Sequence, residues 1–429
     1  MQNYLESKKT DPVETAKVLI VSQYYWPEIF RITEVAQSLR DLGHEVIILT
    51  GQPNYPDGVV FPGYAAASLR TQTIDGITIF RVPLVPRGSR SAVQLAFNYL
   101  SFIVSAAVFG PWLLRNHKVD IVFVYAPSPI LQVIPAVWLA WLKHAKLVTW
   151  VQDLWPESLS ATGFVRNQKI LNSVATVVRW IYRRNDLLLV QSQAFVDPVV
   201  KMAGDTPVIY HPNPGELAFS APDTGYASPL QLEPGFNIVF AGNLGTVQAL
   251  DTVLAAAQLL RDMHDVFFVL VGSGSRSEWL RHEVNRLGLD NVKMPGRFPP
   301  IDMPGILTQA SAVLVSLIKD PIISQTIPSK VQAYLAAGKP IIASLDGEGA
   351  RVVTEAGAGL ACPAEDAQAL ADAVIKLHNA LPQELEIMAQ CGLVYYKQHF
   401  EPTLLAKRLA QILSDVVRSE QPSNKAIDN

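Results

Sequence analysis

Two residues in the second half of the chain, Ser329 and Lys330, combine types and positions that suit the binding of a phosphate group. They follow Ile327 and Pro328 directly, and the apolar residues after them recur at spacings of three and four, which predicts that a helix starts here. The N–H groups at a helix start attract anions, and the Lys330 ammonium adds a full positive charge. The alternative is an ordinary βαβ unit with ordinary helix caps.

The elements that would position these two residues can be recognised around them. Gly338 is placed to end the helix, and residues 341–343 are typical of a short buried strand. A second glycine-rich loop follows, with Gly347 and Gly349 on either side of Glu348. The sequence therefore predicts a helix start and a glycine loop close together, which is a suitable frame for an anion.

These motifs resemble those of a known family. Pro328-Ser329-Lys330, the run AAGKPII after it, and GEGARVV with EAGAGL resemble the donor-sugar half of family-four glycosyltransferases, which have the GT-B fold. The run VLIVSQYYWPE resembles the start of that family's N-terminal domain. WVQDLWPESLSATG and FAGNLGTVQALDTVLAA are similar to the branch that includes N-acetyl-L-fucosamine transferases of O-antigen assembly. The resemblance covers about residues 17–415.

The resemblance implies an α/β fold of the GT-B type, in which two Rossmann-like, doubly wound parallel-sheet domains face a cleft. The pattern of a strand, a loop and a helix does occur twice, at 18–42 and at 237–261. The predicted division is a flexible tail (1–16), an N-terminal acceptor domain (17–215), a linker rich in Pro, Gly, Ser and Ala (216–235), a C-terminal nucleotide-sugar domain (236–400), a helix that crosses back to the first domain (401–419) and a second tail (420–429).

The candidate acceptor-side residues are Gln152 and Asp153, which follow the predicted strand 147–151. Ligands of doubly wound sheets bind beyond the carboxyl ends of the strands. The resembled family often has a His-Asp pair here, so glutamine stands in the histidine position and Asp153 keeps its own. The alternative for Asp153 is a helix-capping aspartate. Arg31 replaces small residues that approach the donor diphosphate in the family, and it is either a phosphate contact or an exposed arginine at a helix start.

On the donor side, a glycine loop follows the predicted strand 237–241, and its N–H groups are suited to a diphosphate. The family has an arginine and a lysine in this region, where this chain has Asn243 and Gln248. The sequence Gly272-Ser273-Gly274 lacks the third glycine of a dinucleotide motif. Residues 291–294 and 296–298 are expected beside the nucleotide base. The predicted donor-binding residues are Arg31, Gly242, Asn243, Gly245, Thr246, Gln248, Arg297, Ser329, Lys330 and Glu348.

The resemblance also has implications for the reaction mechanism. The family commonly has two glutamates around the Pro-Ser-Lys motif, where this chain has Gln325 and Ala333. The chain has no Asp-x-Asp pair for a diphosphate-bound metal. The implied reaction is a metal-independent, retaining transfer in which the departing diphosphate accepts the proton of the incoming hydroxyl. Gln325 joins Gln152 and Asp153 as a candidate catalytic residue, no cofactor is expected, and a UDP-linked donor is favoured over a GDP-linked one.

The composition of the chain limits the kinds of partner and compartment that are expected for it. A chain of 429 residues suits two domains, and a net charge of −3 argues against nucleic acid as a partner. Two cysteines without metal spacing fit a reducing compartment. Residues 91–114 contain no charged side chain but carry a narrow polar stripe, interrupted by Gly110-Pro111, and 130–142 is also very apolar. We expect a helix that lies on the membrane, or an apolar helix that contacts a lipid substrate, and the alternative is a buried core helix.

The expected protein is thus cytoplasmic and peripheral on the inner face of the plasma membrane. It would use a nucleotide sugar and a polyprenyl-diphosphate-linked saccharide in O-antigen, capsule or exopolysaccharide synthesis. Two alternatives remain open at this stage: a dinucleotide-dependent oxidoreductase or epimerase, and an inactive partner that only binds a nucleotide sugar.

Overall fold

The computed structural model describes residues 15–88, 92–161, 167–215 and 228–419. The predicted tails beyond this range, at 1–14 and 420–429, and residues 216–227 of the predicted linker lie outside the described residues. The described residues form two compact units, one up to Pro212 together with the part from Leu405 onward, and the other from Asn213 to Leu404. The predicted boundaries were 215, 235 and 400.

The first unit is built on one sheet of eight strands. Its elements in chain order are β1 (Lys17–Val21), α1 (Ile32–Asp41), β2 (Glu45–Gly51), β3 (Arg70–Ile74), β4 (Ile77–Val82), α2 (Ala92–Leu113), β5 (Ile121–Ala126), α3 (Val133–Lys143), β6 (Lys146–Val151), α4 (Glu157–Ala161), α5 (Gln168–Tyr182), β7 (Leu187–Val190), α6 (Val196–Ala203) and β8 (Val208–Tyr210). The strand order is β3-β4-β2-β1-β5-β6-β7-β8, and the sheet is parallel except for the antiparallel edge strand β3.

The second unit is built on an all-parallel sheet of six strands. Its elements are β9 (Phe236–Ala241), α7 (Leu250–Leu259), β10 (Val266–Val271), α8 (Ser277–Leu287), β11 (Val292–Gly296), α9 (Met303–Leu307), β12 (Ala312–Ser316), α10 (Ser329–Ala336), β13 (Ile341–Ser344), α11 (Glu348–Glu355), β14 (Gly359–Cys362), α12 (Ala367–His378) and α13 (Pro382–His399), and then α14 (Pro402–Arg418) leads back into the first unit. The strand order is β11-β10-β9-β12-β13-β14.

Both sheets are buried on two faces, which explains their apolar strands. Every residue of β5 is buried, as expected for a strand covered by helices on both sides. In the first unit α2, α3, α5 and α6 cover one face, and α1 with the end of the chain covers the other. The predicted α/β class with two Rossmann-like parallel sheets is therefore confirmed.

Two local features differ from expectation. The hairpin of β3 and β4 was not predicted, although its turn, Asp75-Gly76, has the positive φ angles of 50° and 76° that two-residue hairpin turns need. The expected interruption at Gly110-Pro111 is wrong, because α2 continues through Pro111 to Leu113. Pro111 lies in the last turn of α2, where its missing N–H removes one backbone hydrogen bond of the helix. The backbone hydrogen bond from Leu114 N to Gly110 O, at 2.9 Å, is kept.

Candidate functional site

A cavity of about 710 Å³ lies in the second unit, at the carboxyl ends of β9, β10 and β11. This is the edge where ligands of doubly wound sheets bind. Its polar side consists of two glycine loops and the first turn of α10. The predicted residues that line it are Gly242, Asn243, Gln248, Arg297, Ser329 and Lys330. The sequence motifs around these residues, which lie far apart along the chain, thus meet in one cavity.

Lys330 is the central cation of this cavity. Its Nζ donates a hydrogen bond to Oε1 of Gln248 at 2.5 Å and lies 3.6 Å from the centre of the Phe240 ring. Burial of the ammonium lowers the pKa of Lys330 from its ordinary value to about 7. The side chain of Lys330 can therefore gain or lose its charge near neutral pH, and its expected contribution of a full charge stays a prediction.

Two glycines let the backbone approach closely at the floor of the cavity. Gly242 has a φ of +136°, and a Cβ there would lie 2.8 Å from Cε of Lys330. Gly272 has a φ of +142°, and a Cβ there would lie 1.8 Å from the carbonyl oxygen of Gly242. Only glycine can adopt these positive φ angles readily and also leave the space that a Cβ atom would occupy. The Gly272-Ser273-Gly274 motif lines the cavity, so its function is a close backbone contact rather than a dinucleotide fingerprint.

The opposite wall of the cavity is mainly apolar. Phe298 was expected there, but the other members were missed, because they lie in a short irregular segment and in α9, where the sequence has no binding signal. The apolar members of this wall are Phe298, Pro300, Met303 and Leu307. Arg297 adds a guanidinium at the same edge. A flat, partly apolar ligand group such as a nucleobase would suit this wall.

Tyr334 fixes the geometry between β9 and α10. Its hydroxyl accepts a hydrogen bond from Ala241 N at 2.8 Å, and the side chain is buried. Burial raises the pKa of Tyr334 well above its usual range. Tyr334 thereby connects the end of β9 to the helix that carries Lys330, which its position among the apolar residues of the sequence does not indicate.

The cavity has no carboxylate in its lining among the residues that the structure describes. Ala333 lines it, at the position where the resembled family commonly has a glutamate. Gln325 lies in a short helical turn (Ile323–Gln325) before α10, and its Nε2 donates to Pro321 O at 2.9 Å. Its Oε1 is buried without a hydrogen-bond partner among the described residues, and Gln325 is not among the residues that line the cavity.

Glu348, Gly245 and Thr246 do not contribute to the lining of the cavity in the described part of the chain. Glu348 begins α11, and both of its carboxylate oxygens accept from Arg351 at 3.0 Å. The expected glycine-rich loop is therefore shorter than predicted, because Gly349 lies inside this helix. Their assignment to donor binding stays a prediction.

The candidate acceptor-side residues all lie in the first unit. Asp153 follows β6 and accepts hydrogen bonds from Nε1 of Trp155 at 3.3 Å and from the Ser158 hydroxyl. Burial raises the pKa of Asp153, and these hydrogen bonds oppose the shift. The side chain of Gln191 donates to the backbone carbonyl of Gln152 at 3.1 Å. Arg31, a predicted donor-binding residue, also lies in the first unit, where it directly precedes α1, and it is not among the residues that line the cavity of the second unit.

Sequence reasoning assigned no function to Glu28, which organises the loop after β2. Its carboxylate accepts backbone N–H bonds from Asn54 and Tyr55 at 2.8 Å each and from Tyr25 at 3.3 Å. The side chain is almost fully buried, and burial raises its pKa to about 7, against the effect of these bonds. In the sequence Glu28 is only an acidic residue in the loop between β1 and α1, and its burial is visible only in the structure.

Two family models match the chain. The "Glycosyl transferase 4-like domain" matches residues 30–214, and "Glycosyl transferases group 1" matches residues 235–380. The first match lies in the first unit except for its last two residues, and the second match lies in the second unit.

Among curated proteins, the chain is similar to the "Putative colanic acid biosynthesis glycosyl transferase WcaI" of Escherichia coli strain K12. The two are 26% identical over 347 residues, which cover 75% of this chain and 81% of the relative. It is also 24% identical over 302 residues to the "Probable glycosyltransferase WbjE" of Pseudomonas aeruginosa, covering 67% of this chain and 72% of the relative.

Solved structures show the same fold. A glycosyltransferase from Rickettsia africae ESF-5 superimposes with a TM-score of 0.66 at 14% identity, covering 94% of this chain and 99% of that one. Anabaena HepE in complex with UDP-glucose has a TM-score of 0.62 at 17% identity, covering 93% of this chain and 100% of that one. The fold, the two matched domains and the cavity at the sheet edge lead to the same conclusion: the chain belongs to the group 1, GT4-like glycosyltransferases with the GT-B fold.

Proposed function

We propose that the protein transfers a sugar, with retention of anomeric configuration, from a UDP-linked donor to a polyprenyl-diphosphate-linked saccharide during synthesis of a surface polysaccharide. The observation that carries the proposal is the convergence of Lys330, the α10 start and two close glycine loops on one cavity. Such a set of N–H groups and one cation suits a diphosphate. The HepE complexes with UDP and UDP-glucose support a UDP donor for this chain.

The polysaccharide context is supported by the relatives. The name of WcaI refers to colanic acid biosynthesis, and WbjE is named only as a probable glycosyltransferase. The donor sugar is proposed to be an amino or deoxy sugar such as N-acetyl-L-fucosamine, on the basis of the motif resemblance alone. The proposed location is the inner face of the plasma membrane, where a polyprenyl-linked acceptor would be held.

In the proposed reaction, the bond between the anomeric carbon and the diphosphate oxygen breaks, and a bond from an acceptor hydroxyl oxygen forms on the same face. The hydroxyl proton passes to the departing diphosphate. Lys330 and the loop N–H groups would stabilise the charge on that diphosphate, and Gln325 would orient a sugar hydroxyl through its free Oε1. Among the described residues, no group of three His, Cys, Asp or Glu side chains is arranged to hold a metal ion.

A second candidate, an inactive protein that only binds a nucleotide sugar, is favoured by one observation. Ala333 and Gln325 occupy the positions of two glutamates that are common in the family. Binding without turnover would distinguish it from the enzyme.

The proposal is tested with purified protein, a panel of UDP- and GDP-sugars and a polyprenyl-diphosphate-linked saccharide. We expect a UDP-sugar to be consumed at the same rate with and without EDTA, and NMR of the product to show the anomeric configuration of the donor. An inverted product, or activity that requires a divalent metal, would contradict the proposed mechanism. Donor binding without transfer would support the second candidate.

A further inference from the structure

Two residues of the polar stripe of helix α2, Asn98 and Ser101, make hydrogen bonds inside the first unit. Asn98 is fully buried, accepts from Nε2 of Gln23 at 2.7 Å and donates to Val85 O at 2.7 Å. The Ser101 hydroxyl accepts from Val85 N at 2.9 Å. The polar groups at the middle of this helix are therefore used for internal hydrogen bonds.

The opposite side of α2 is apolar and exposed. Its members recur at spacings of three and four and are each more than half exposed: Val93, Phe97, Leu100, Val104, Val108 and Trp112. An amphipathic helix on a water-exposed surface has the reverse arrangement, with polar residues outward. By length and composition alone, Val93–Leu113 is also long and apolar enough to cross a membrane, but only 22% of its apolar window is buried, unlike a core helix.

Helix α3 packs beside α2 over the same core and extends the apolar surface. Trp138 and Trp141 are 44% and 67% exposed, and their rings stack with centroids 5.1 Å apart. Trp180 of α5 is also exposed, at 42%. Tryptophan is the residue that is enriched at the boundary between lipid and water. We refer to the exposed residues of α2 together with Trp138 and Trp141 as the apolar face.

A basic basin adjoins the C-terminal ends of α2 and α3. This cavity of about 700 Å³ is lined by Arg115, His117, Lys118, Lys143, His144 and Lys146, with Asp120 as its acidic member. Lys146 is paired with Asp186 at 3.3 Å, so the positive charge of the basin comes mainly from the other basic residues. Asp120 uses its carboxylate to accept the Lys17 N–H at 2.8 Å, and Lys143 donates to the backbone carbonyls of Leu114 and His117. The guanidinium of Arg115 stacks over the Trp112 ring at 4.6 Å, which joins the basin to the apolar face.

We infer that the apolar face and the basic basin together form a docking surface for a bilayer that contains anionic phospholipids. The apolar face enters the boundary of the acyl chains, the tryptophans lie at the interface, and the basin receives phosphate headgroups. Charge complementarity favours an anionic bilayer over a second copy of the chain, since a second copy would bring the same positively charged basin to this surface. The chain as a whole has a net charge of −3, so the positive charge is a local feature of this surface.

This inference deepens the lipid-linked acceptor of the proposed function and in that respect rests on it. Its test is independent of turnover: co-sedimentation of the full chain with vesicles of phosphatidylcholine alone or mixed with phosphatidylglycerol. We expect the wild type to bind the anionic vesicles more strongly than the neutral ones, and we expect salt to weaken its binding to the anionic vesicles. The double variant Val104→Asp/Val108→Asp should lose binding to both vesicle types. Val59→Asp, a charge placed at a 68% exposed residue elsewhere in the same unit, is the matched control.

The basin is tested with Arg115→Gln/Lys118→Gln, and the control is Arg281→Gln/Lys376→Gln, which changes the net charge equally at two exposed residues of the second unit. Loss of two basic residues near an anionic surface should weaken partitioning roughly thirtyfold at low salt. Equal binding to neutral and anionic vesicles, or no vesicle binding at all, would overturn the inference. So would a dimer in sedimentation velocity that Val104→Asp/Val108→Asp dissociates. UDP binding measured without vesicles shows separately whether the proposed function fails.

Discussion

Lys330 and Gln248 are joined by a hydrogen bond of 2.5 Å between Nζ and Oε1, a pairing of a cation with a neutral amide. The ring of Phe240 is the other close neighbour of the Nζ, at 3.6 Å. Neither partner carries a negative charge, so burial lowers the pKa of Lys330 without compensation. A diphosphate bound beside Lys330 would supply the missing charge, and donor binding should then be coupled to proton uptake.

Removal of this cation should weaken donor use without unfolding the protein. Lys330→Met keeps the aliphatic stem against Phe240 but removes the charge. Because a charge-assisted phosphate contact contributes about 1.5–3 kcal/mol, kcat/KM for the donor should fall roughly 10- to 100-fold. Steady-state kinetics with Lys376→Met, at an exposed position of α12, provide the comparison. If Lys330→Met has the kcat/KM of the wild type, then Lys330 does not contact the diphosphate.

The affinity for UDP should fall as the pH rises. The free protein holds Lys330 with a pKa of about 7, and bound diphosphate favours the charged form, so a proton must be taken up above that pH. Isothermal titration calorimetry in buffers of different ionisation enthalpy, from about pH 7 to about pH 9, should show this uptake. The stability of the protein without ligand should depend on pH in the opposite direction. Between the lowered pKa of Lys330 and its ordinary value of 10.5, the unfolded chain binds one more proton than the folded protein, so the free energy of unfolding increases as pH rises. A pH-independent affinity in the wild type, or the same slope in Lys330→Met, would contradict this coupling.

Gln325 should affect the choice of donor more than the rate. Its Oε1 is buried and unpartnered among the described residues, whereas its Nε2 is held by Pro321 O at 2.9 Å. One neutral hydrogen bond to a sugar hydroxyl contributes about 0.5–1.5 kcal/mol, so Gln325→Ala should change the ratio of kcat/KM between epimeric donors about 3- to 10-fold. The kcat for the preferred donor should fall by less. Gln368→Ala on α12 is the control, and a uniform loss of kcat for all donors would instead assign Gln325 to the chemical step.

Gly272 should tolerate no side chain. A Cβ at Gly272 would meet the Gly242 carbonyl oxygen at 1.8 Å, and its φ of +142° is also unfavourable for other residues. Gly272→Ala should therefore destabilise the protein by about 3 kcal/mol or more. Gly288→Ala isolates the backbone effect, because Gly288 has a φ of +62° with nothing within 4 Å of a Cβ, and it should cost about 1–2 kcal/mol. Urea denaturation measures both, and equal losses would mean that the loop can move away.

Much of the fold could be predicted from local sequence. The predicted strands 147–151 and 237–241 agree within one residue with β6 (Lys146–Val151) and β9 (Phe236–Ala241), because short runs of apolar residues between polar ones have few alternatives in a parallel sheet. The helix that begins at Ser329 was predictable for a similar reason, since Pro328 and Gly338 limit it at both ends. The predicted loop around Gly349 shows the limit, because nothing local indicates that α11 starts already at Glu348.

The site was less predictable than the fold. The residue types of Lys330 and Gln248 were noted, but their hydrogen bond joins residues far apart along the chain and depends on how β9 and α10 pack. The same holds for the pKa of Lys330, which is a consequence of burial and has no signature in sequence. Met303 and Leu307 lack any chemical signal of their own, and only the position of α9 beside the cavity gives them a function.

Helix α14 completes the hydrophobic core on one face of the first unit. Leu409, Ala410 and Leu413 of α14 are buried in the same cluster as Val18 and Ile20 of β1. Domains generally fold in the order in which the ribosome produces them. In this protein the first sheet cannot close its core on that face until α14 has been synthesised, after the whole of the second unit. A ribosome stalled before α14 should therefore present a finished second unit and an unfinished first one, open to chaperones and proteases.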